Sequence, residues 1–190
     1  MIRTCIYGGS YNPLHNGHIL LAKHILDNDY ADEVWFVVSP LNPFKEHDND
    51  LLEENLRLEL TRKALEGSCN MVASDYEFKL PRPSYMVRTL ESLRNDFPQR
   101  EFSLLIGADN WTSFHHWYHY EEILRHHHVY VYPREGYPID DKILPDNVTL
   151  LATPLIRLSS TDIRSKIKNG DDIDHLVPAI IKETLVKIYK

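Results

Sequence analysis

Gly8-Gly9-Ser10-Tyr11-Asn12-Pro13-Leu14-His15-Asn16-Gly17-His18 stands between a short apolar run, Ile2 to Tyr7, and a helical pattern that begins near Ile19. A strand that breaks at a glycine pair, turns and enters a helix builds a phosphate site. The helix N-terminus offers backbone N–H groups without intrahelical partners and a partial positive charge. Glycine lets a ligand approach the backbone because no Cβ intervenes. Two histidines three residues apart at that helix start can face the same space. Alone, His-Asn-Gly-His is a weak motif, and a lone strand–glycine–helix junction is often only a tight turn.

Outward from this stretch, apolar runs alternate with helical patterns. Val34 to Val38 is continuously apolar, as in a strand covered on both faces. Met71–Ala73, Phe102–Ile106, Val129–Tyr132 and Val148–Leu151 read as further strands. Helices are expected over Ile19–Leu26, Leu51–Leu65, Ser84–Leu93, Tyr120–Leu124, Thr161–Ile167 and Ala179–Tyr189. In the second of these, positions 52, 56, 60 and 64 form the apolar face; in the last, Pro178 suits the first turn. The alternation predicts an α/β fold: a single Rossmann-like doubly wound domain over residues 1–190, with a mostly parallel sheet and helices on both faces. A C-terminal helical segment begins at about 160, and Pro133 to Asp146 is a surface excursion. Ligands in such sheets sit beyond the carboxyl ends of the strands. The glycine pair, the Pro40–Lys45 loop and Gly107–Asp109 all follow strand ends.

The 190 residues carry 21 basic and 28 acidic side chains, a formal charge of −7 that argues against broad nucleic-acid or membrane binding. A small anionic ligand remains compatible, since local donors outweigh a screened global charge. No apolar run approaches a membrane span and the N-terminus lacks a signal-peptide pattern. Cys5 and Cys69 read as reduced core residues of a cytoplasmic protein.

A second anion site is legible in Leu158-Ser159-Ser160-Thr161-Asp162-Ile163-Arg164. Its serines stand at a helix start, with Arg164 about one turn inside. Taken alone, the same pattern is equally an ordinary N-cap followed by a surface arginine. Two such helix starts in one chain suit a triphosphate, which needs donors on two sides.

The glycine-pair stretch and Ser-Ser-Thr-Asp-Ile-Arg together resemble the nucleotidyltransferases that share the T/HxGH signature. Within them, the closest similarity is to the bacterial nicotinate mononucleotide adenylyltransferases. Pro40 to Lys45, Pro83-Ser84-Tyr85 with Thr89-Leu90, and Gly107-Ala108-Asp109 followed by Trp117-Tyr118 support the narrower likeness, which spans residues 8 to 164. The resemblance implies transfer of AMP from ATP to nicotinate mononucleotide, giving deamido-NAD and pyrophosphate. It implies catalytic roles for His15, His18 and Arg164, with His18 at the α-phosphate. Gly8, Gly9, Ser10, Tyr11, Gly107, Ser159, Ser160 and Thr161 would complete the ATP site. Lys45, Met86, Asp109, Trp117 and Tyr118 would receive the acceptor. Trp117 would stack on the pyridine, although an indole at that position is also compatible with half-buried core. Mg²⁺ would arrive with ATP, held by phosphate oxygens and water rather than by a protein metal site.

The chain departs from the family pattern at Asn12, where Asp is common, and at Phe44, where a histidine precedes the lysine. Met86 and Arg88 replace Thr and Asp. His115, His116, His119 and His126-His127-His128 suggest either a metal site or solvated and capping residues. The acidic run from Glu46 to Asp50 reads as an exposed loop before a helix. Alternative functions are the same chemistry on nicotinamide mononucleotide or another phosphorylated acceptor, and a catalytically silent nucleotide sensor. The Gly107–Tyr118 segment speaks against phosphopantetheine. Retention of both histidines with Arg164 speaks against the sensor. A tRNA-charging enzyme, which uses a related loop, is disfavoured by the lack of a basic domain.

Overall fold

A computed structural model describes residues 1–40 and 50–190. Six strands form one sheet: β1 (Ile2–Gly9), β2 (Glu33–Val38), β3 (Met71–Ser74), β4 (Arg100–Gly107), β5 (Val129–Tyr132) and β6 (Val148–Leu150). Their order is β3-β2-β1-β4-β5-β6 and every pairing is parallel. The chain winds outward from β1 in both directions, so the strand order reverses between β1 and β4. A crevice opens at the carboxyl ends of those two strands. Gly9 and Gly107 end β1 and β4, which puts both glycine signals on its rim.

The helices are α1 (Asn16–Asp27), α2 (Glu54–Ala64), α3 (Met86–Asp96), α4 (Ala108–Thr112), α5 (Tyr120–His126), α6 (Ser160–Asn169) and α7 (Ala179–Tyr189). Side-chain alternation along the strands sorts the core into two layers. Cys5, Tyr7, Val34, Phe36 and Val38 meet Leu21, Ile25 and Leu58 of α1 and α2 on one face. Ile6, Val37, Leu104 and Ile106 meet Leu90, Leu93 and Ile123 of α3 and α5 on the other. A third cluster joins Leu60 of α2 to Ile163, Ile167, Ile181 and Leu185 of α6 and α7. The doubly wound expectation therefore holds.

Several local expectations are corrected. Helix α2 starts at Glu54 rather than Leu51, because the Glu53 carboxylate caps it by accepting from the Asn55 and Leu56 N–H groups. Its buried face is also wider than the apolar stripe: Arg57, Leu58, Leu60 and Thr61 are all enclosed, because α2 lies between the sheet and α7. Helix α3 starts at Met86, two residues later than Ser84. Pro178 is the N-cap of α7, one position before its first turn. Cys5 is buried but Cys69 is exposed, in the turn before β3 where nothing covers it. His127 is buried, with Nδ1 2.8 Å from the Phe102 carbonyl, and His128 bonds Thr149 at 2.8 Å, so neither is a solvated residue. Among the described residues no helix is long and apolar enough to cross a membrane.

Arg57 is 1% exposed and, among the described residues, forms no ion pair with a carboxylate. Its guanidinium donates to the carbonyls of Leu52, Ser10, Ser39 and Pro40, at 2.8, 2.6, 2.8 and 3.2 Å. It thereby joins the segments that follow β1 and β2. Arg57→Met would leave several of these carbonyls unpaired, at about 1–3 kcal/mol each. The expected loss is roughly 3 kcal/mol of unfolding free energy, read from urea denaturation. A loss below about 0.5 kcal/mol, the ordinary range for a surface substitution, would show that the carbonyls find other donors.

Candidate active site

The crevice holds a cavity of about 760 Å³, within the usual range for a nucleotide-sized ligand. Gly8, Gly9, Ser10, Tyr11, His15 and His18 contribute to one wall, and Ser159, Ser160, Thr161 and Arg164 to another. Gly107, Asp109, Met86, Trp117 and Tyr118 line the remainder. Every expected site residue except Lys45 thus borders one space. Lys45, Phe44 and the acidic run from Glu46 to Asn49 lie outside the described residues.

The two histidines form a reciprocal cap on α1. His15 Nδ1 accepts the His18 backbone N–H at 3.3 Å, and His18 Nδ1 accepts the His15 N–H at 3.2 Å. Since both Nδ1 atoms act as acceptors, a neutral ring carries its proton on Nε2. The rings stack 3.6 Å apart, so the cap also holds them parallel. Gly17 makes the stack possible: a Cβ there would lie 2.7 Å from Ile156 Cγ2 and 3.0 Å from the His15 ring. Burial, with the Arg134 charge, lowers the His15 pKa from 6.5 to about 4.

Tyr11 is at φ 47°, and this left-handed turn sends its ring into the core, where its hydroxyl donates to the Tyr7 carbonyl. Only the Tyr11 backbone is left for a ligand. Arg164 Nη1 donates to the Asn12 carbonyl at 2.9 Å, and Ser160 Oγ to the Pro13 carbonyl at 2.8 Å. Helix α6 is thereby tied to the glycine-pair loop. Ser159 is an N-cap as well as a cavity residue, its Oγ 2.6 Å from Asp162. Both serine hydroxyls are engaged within the protein, by Asp162 and the Pro13 carbonyl.

At the other end, Trp117 packs on Phe114 with ring centroids 5.1 Å apart, and its indole N–H is buried without a partner. Tyr118 lies 4.8 Å from the Tyr85 ring, and Arg88 sits over both rings at 5.3 and 5.2 Å. Met86 opens α3. Gly107 admits the Asp109 carboxylate against the strand end, since a Cβ there would meet Oδ1 at 2.3 Å. His115, His116, His119 and His126 are exposed, and His126 lies 3.5 Å from Glu122. Among the described residues no group of three or more His, Cys, Asp or Glu could hold a metal ion.

Several cavity residues escape the motifs, Arg134, Ser39 and Glu77 among them. Arg134 comes from the segment expected to be a surface excursion, yet its Nε lies 3.6 Å from Asp109. Ser39 and the buried Glu77 also border the space. No motif marks them; the only available signal was their position just after strand ends.

Comparison with known proteins places these features in a family. The cytidylyltransferase-like family model matches residues 6–166. A Bacteroides fragilis protein named probable nicotinate-nucleotide adenylyltransferase is 44% identical over 184 residues, covering 96% of this chain and 91% of its own. A Flavobacterium psychrophilum protein of the same name is 43% identical, with 91% and 90% covered. The solved structure of Plasmodium falciparum nicotinic acid mononucleotide adenylyltransferase complexed with NaAD superposes with a TM-score of 0.82 over 100% of this chain and 99% of that one; at 19% identity this likeness speaks to the fold alone.

The lowered His15 pKa has a defined consequence. A histidine whose folded pKa lies below its unfolded value contributes stability above about pH 6.5, and loses it as the pH falls toward 4. The His15 Cε1 proton, followed by NMR in the ligand-free protein, is expected to titrate near pH 4. A midpoint at 6 or above would contradict the burial and charge argument.

Proposed function

The chain belongs to the nicotinate-nucleotide adenylyltransferase family, and on that premise we infer that its cavity transfers AMP from ATP to nicotinate mononucleotide. The products are deamido-NAD and pyrophosphate. The observation that carries this reading is one cavity with two helix N-termini and cationic side chains at one end and an aromatic pocket at the other.

A phosphate oxygen of the acceptor attacks the α-phosphorus of ATP, and the bond from that phosphorus to the bridging oxygen of pyrophosphate breaks. The attacking oxygen is already anionic, so no Ser, Cys or Lys nucleophile is needed. Catalysis consists of in-line positioning and stabilisation of charge. His18 donates from Nε2 to the α-phosphate, and His15 supports it along the triphosphate. The α6 N-terminus and Arg164 hold the β- and γ-phosphates, and Lys45 adds charge. Backbone N–H groups of Gly8 to Tyr11 meet the nucleotides. Asp109 binds ribose, Trp117 stacks on the pyridine ring, and backbone N–H groups at Met86 and Tyr118 receive its carboxylate.

Mg²⁺ bound with ATP would lower the charge on the phosphates; phosphate oxygens and water would hold it, since the Asp109 carboxylate of the cavity faces Arg134. Residues 1–190 act as one catalytic unit, because α6 and α7 contribute to the phosphate end. The need for ATP and a pyridine nucleotide assigns the enzyme to the cytoplasm.

Purified protein with ATP and Mg²⁺ is expected to release pyrophosphate much faster with nicotinate mononucleotide than with nicotinamide mononucleotide or phosphopantetheine. Equal rates with the first two would remove the acid selectivity, and no turnover with any would favour a sensor. His18→Ala is expected to lower kcat by roughly 10²-fold, the scale of one lost transition-state donor. Unchanged kcat would take His18 out of the chemistry.

A further inference from the structure

Glu77 is an ionisable side chain in the cavity wall that the mechanism above does not use. It lies in the short turn Tyr76–Lys79 that follows β3, and it is 2% exposed. One carboxylate oxygen accepts from Thr89 Oγ1 at 2.8 Å. The other is sealed from solvent and, among the described residues, has only the Ser39 and Ser84 hydroxyls beside it. The hydroxyls of Ser39 and Ser84 are close enough to favour the ionised form, but burial outweighs them and pushes the carboxyl up. No cation of the described residues is among the groups that act on it. The buried cation Arg57 is committed to four backbone carbonyls.

A buried carboxylate without a positive partner costs several kcal/mol. Core hydrogen bonding alone would be met by a neutral glutamine. Glu77 lines the cavity, is tied to Thr89 of α3 and lies beside Ser84, in the stretch from which Met86 opens α3; on the acceptor assignment above this is the acceptor half. Nicotinate mononucleotide brings a permanent positive charge to that half, because its ring nitrogen carries the glycosidic bond. Because the Glu77 carboxylate is itself buried, a unit charge brought beside it is weakly screened.

We propose that Glu77 is a specificity-determining residue, its carboxylate supplying the counter-charge for the pyridinium ring of the acceptor. The proposal rests on the acceptor assignment above. The ring carboxylate is directed to the backbone N–H groups at Met86 and Tyr118, and the ring nitrogen faces Glu77. The aromatic face of Trp117 acts in the same sense on the ring.

The test compares nicotinate mononucleotide with its 1,4-dihydropyridine form, which keeps the phosphate and ring carboxylate but has a neutral ring. Wild-type protein is assayed first: failure to turn over nicotinate mononucleotide would overturn the acceptor assignment and this proposal with it. Given that activity, Glu77→Gln is expected to raise KM for nicotinate mononucleotide about 10-fold or more. KM for ATP and for the dihydropyridine acceptor should stay within about twofold of wild type. Equal weakening of both acceptors would reduce Glu77 to a structural element of the wall, and unchanged KM for the charged acceptor would remove it altogether. Glu77→Asp keeps the charge but withdraws it by one methylene, and serves if the Gln variant does not fold. It should show the same preference for damage to the charged acceptor, at smaller size; equal losses with the two acceptors would overturn the proposal.

Discussion

Between β1 and α1 the carbonyls of Ser10, Asn12 and Pro13 turn into the protein, and buried carbonyls require donors. The fold brings them from distant parts of the chain. Arg57 of α2 serves Ser10, Arg164 of α6 serves Asn12, and Ser160 serves Pro13. Tyr11 turns back to serve Tyr7. Each carbonyl satisfied in this way fixes the course of the loop. Arg57 extends the arrangement to Ser39 and Pro40 at the end of β2. Helices α2 and α6 therefore hold the loop that borders the cavity as well as packing in the core.

The same loop uses its histidines twice. The reciprocal cap of His15 and His18 ends α1 cleanly and sets both ring tautomers. The cap alone thus fixes both rings at the cavity wall, and neither histidine needs to be charged to donate from Nε2. The protein's net charge of −7 does not oppose an anionic ligand, because the donors that matter are local and directional. The cavity wall carries Arg164 and Arg134 as well as aromatic side chains and a buried carboxylate. This mixture suits a ligand pair that carries phosphates and a pyridinium.

Asn12 illustrates how a departure from a family pattern is accommodated. Its side-chain nitrogen donates to the Asp50 carbonyl at 2.8 Å, while its oxygen accepts from Leu52 N–H at 3.2 Å and Tyr189 hydroxyl at 2.8 Å. A carboxylate could take the two donors but could not supply the one. The amide thus links the phosphate loop to the chain before α2 and to the last turn of α7. Arg88 has a comparable local use, lying over Tyr85 and Tyr118 at the pyridine end.

The strand and helix pattern, the doubly wound topology and both anion-binding helix starts could be read from the residues themselves. Alternation, helical spacing, glycine pairs and capping residues act over a few positions, and their physical effect is local. The family motifs likewise located His15, His18, Trp117 and Arg164 in order along the chain. What only the tertiary structure decided was the use of isolated charges. Arg57 reads as one more charge on an amphipathic helix until segments 17 and 47 residues away bring their carbonyls to it. Glu77 and Arg134 look like surface residues until β3, α3 and β5 place them beside the cavity. The burial of His127 and the exposure of Cys69 follow the same rule, since both depend on which element lies overhead. An apolar period announces its own burial, whereas a single polar side chain is buried only where the rest of the fold supplies partners, and those partners are far away in sequence.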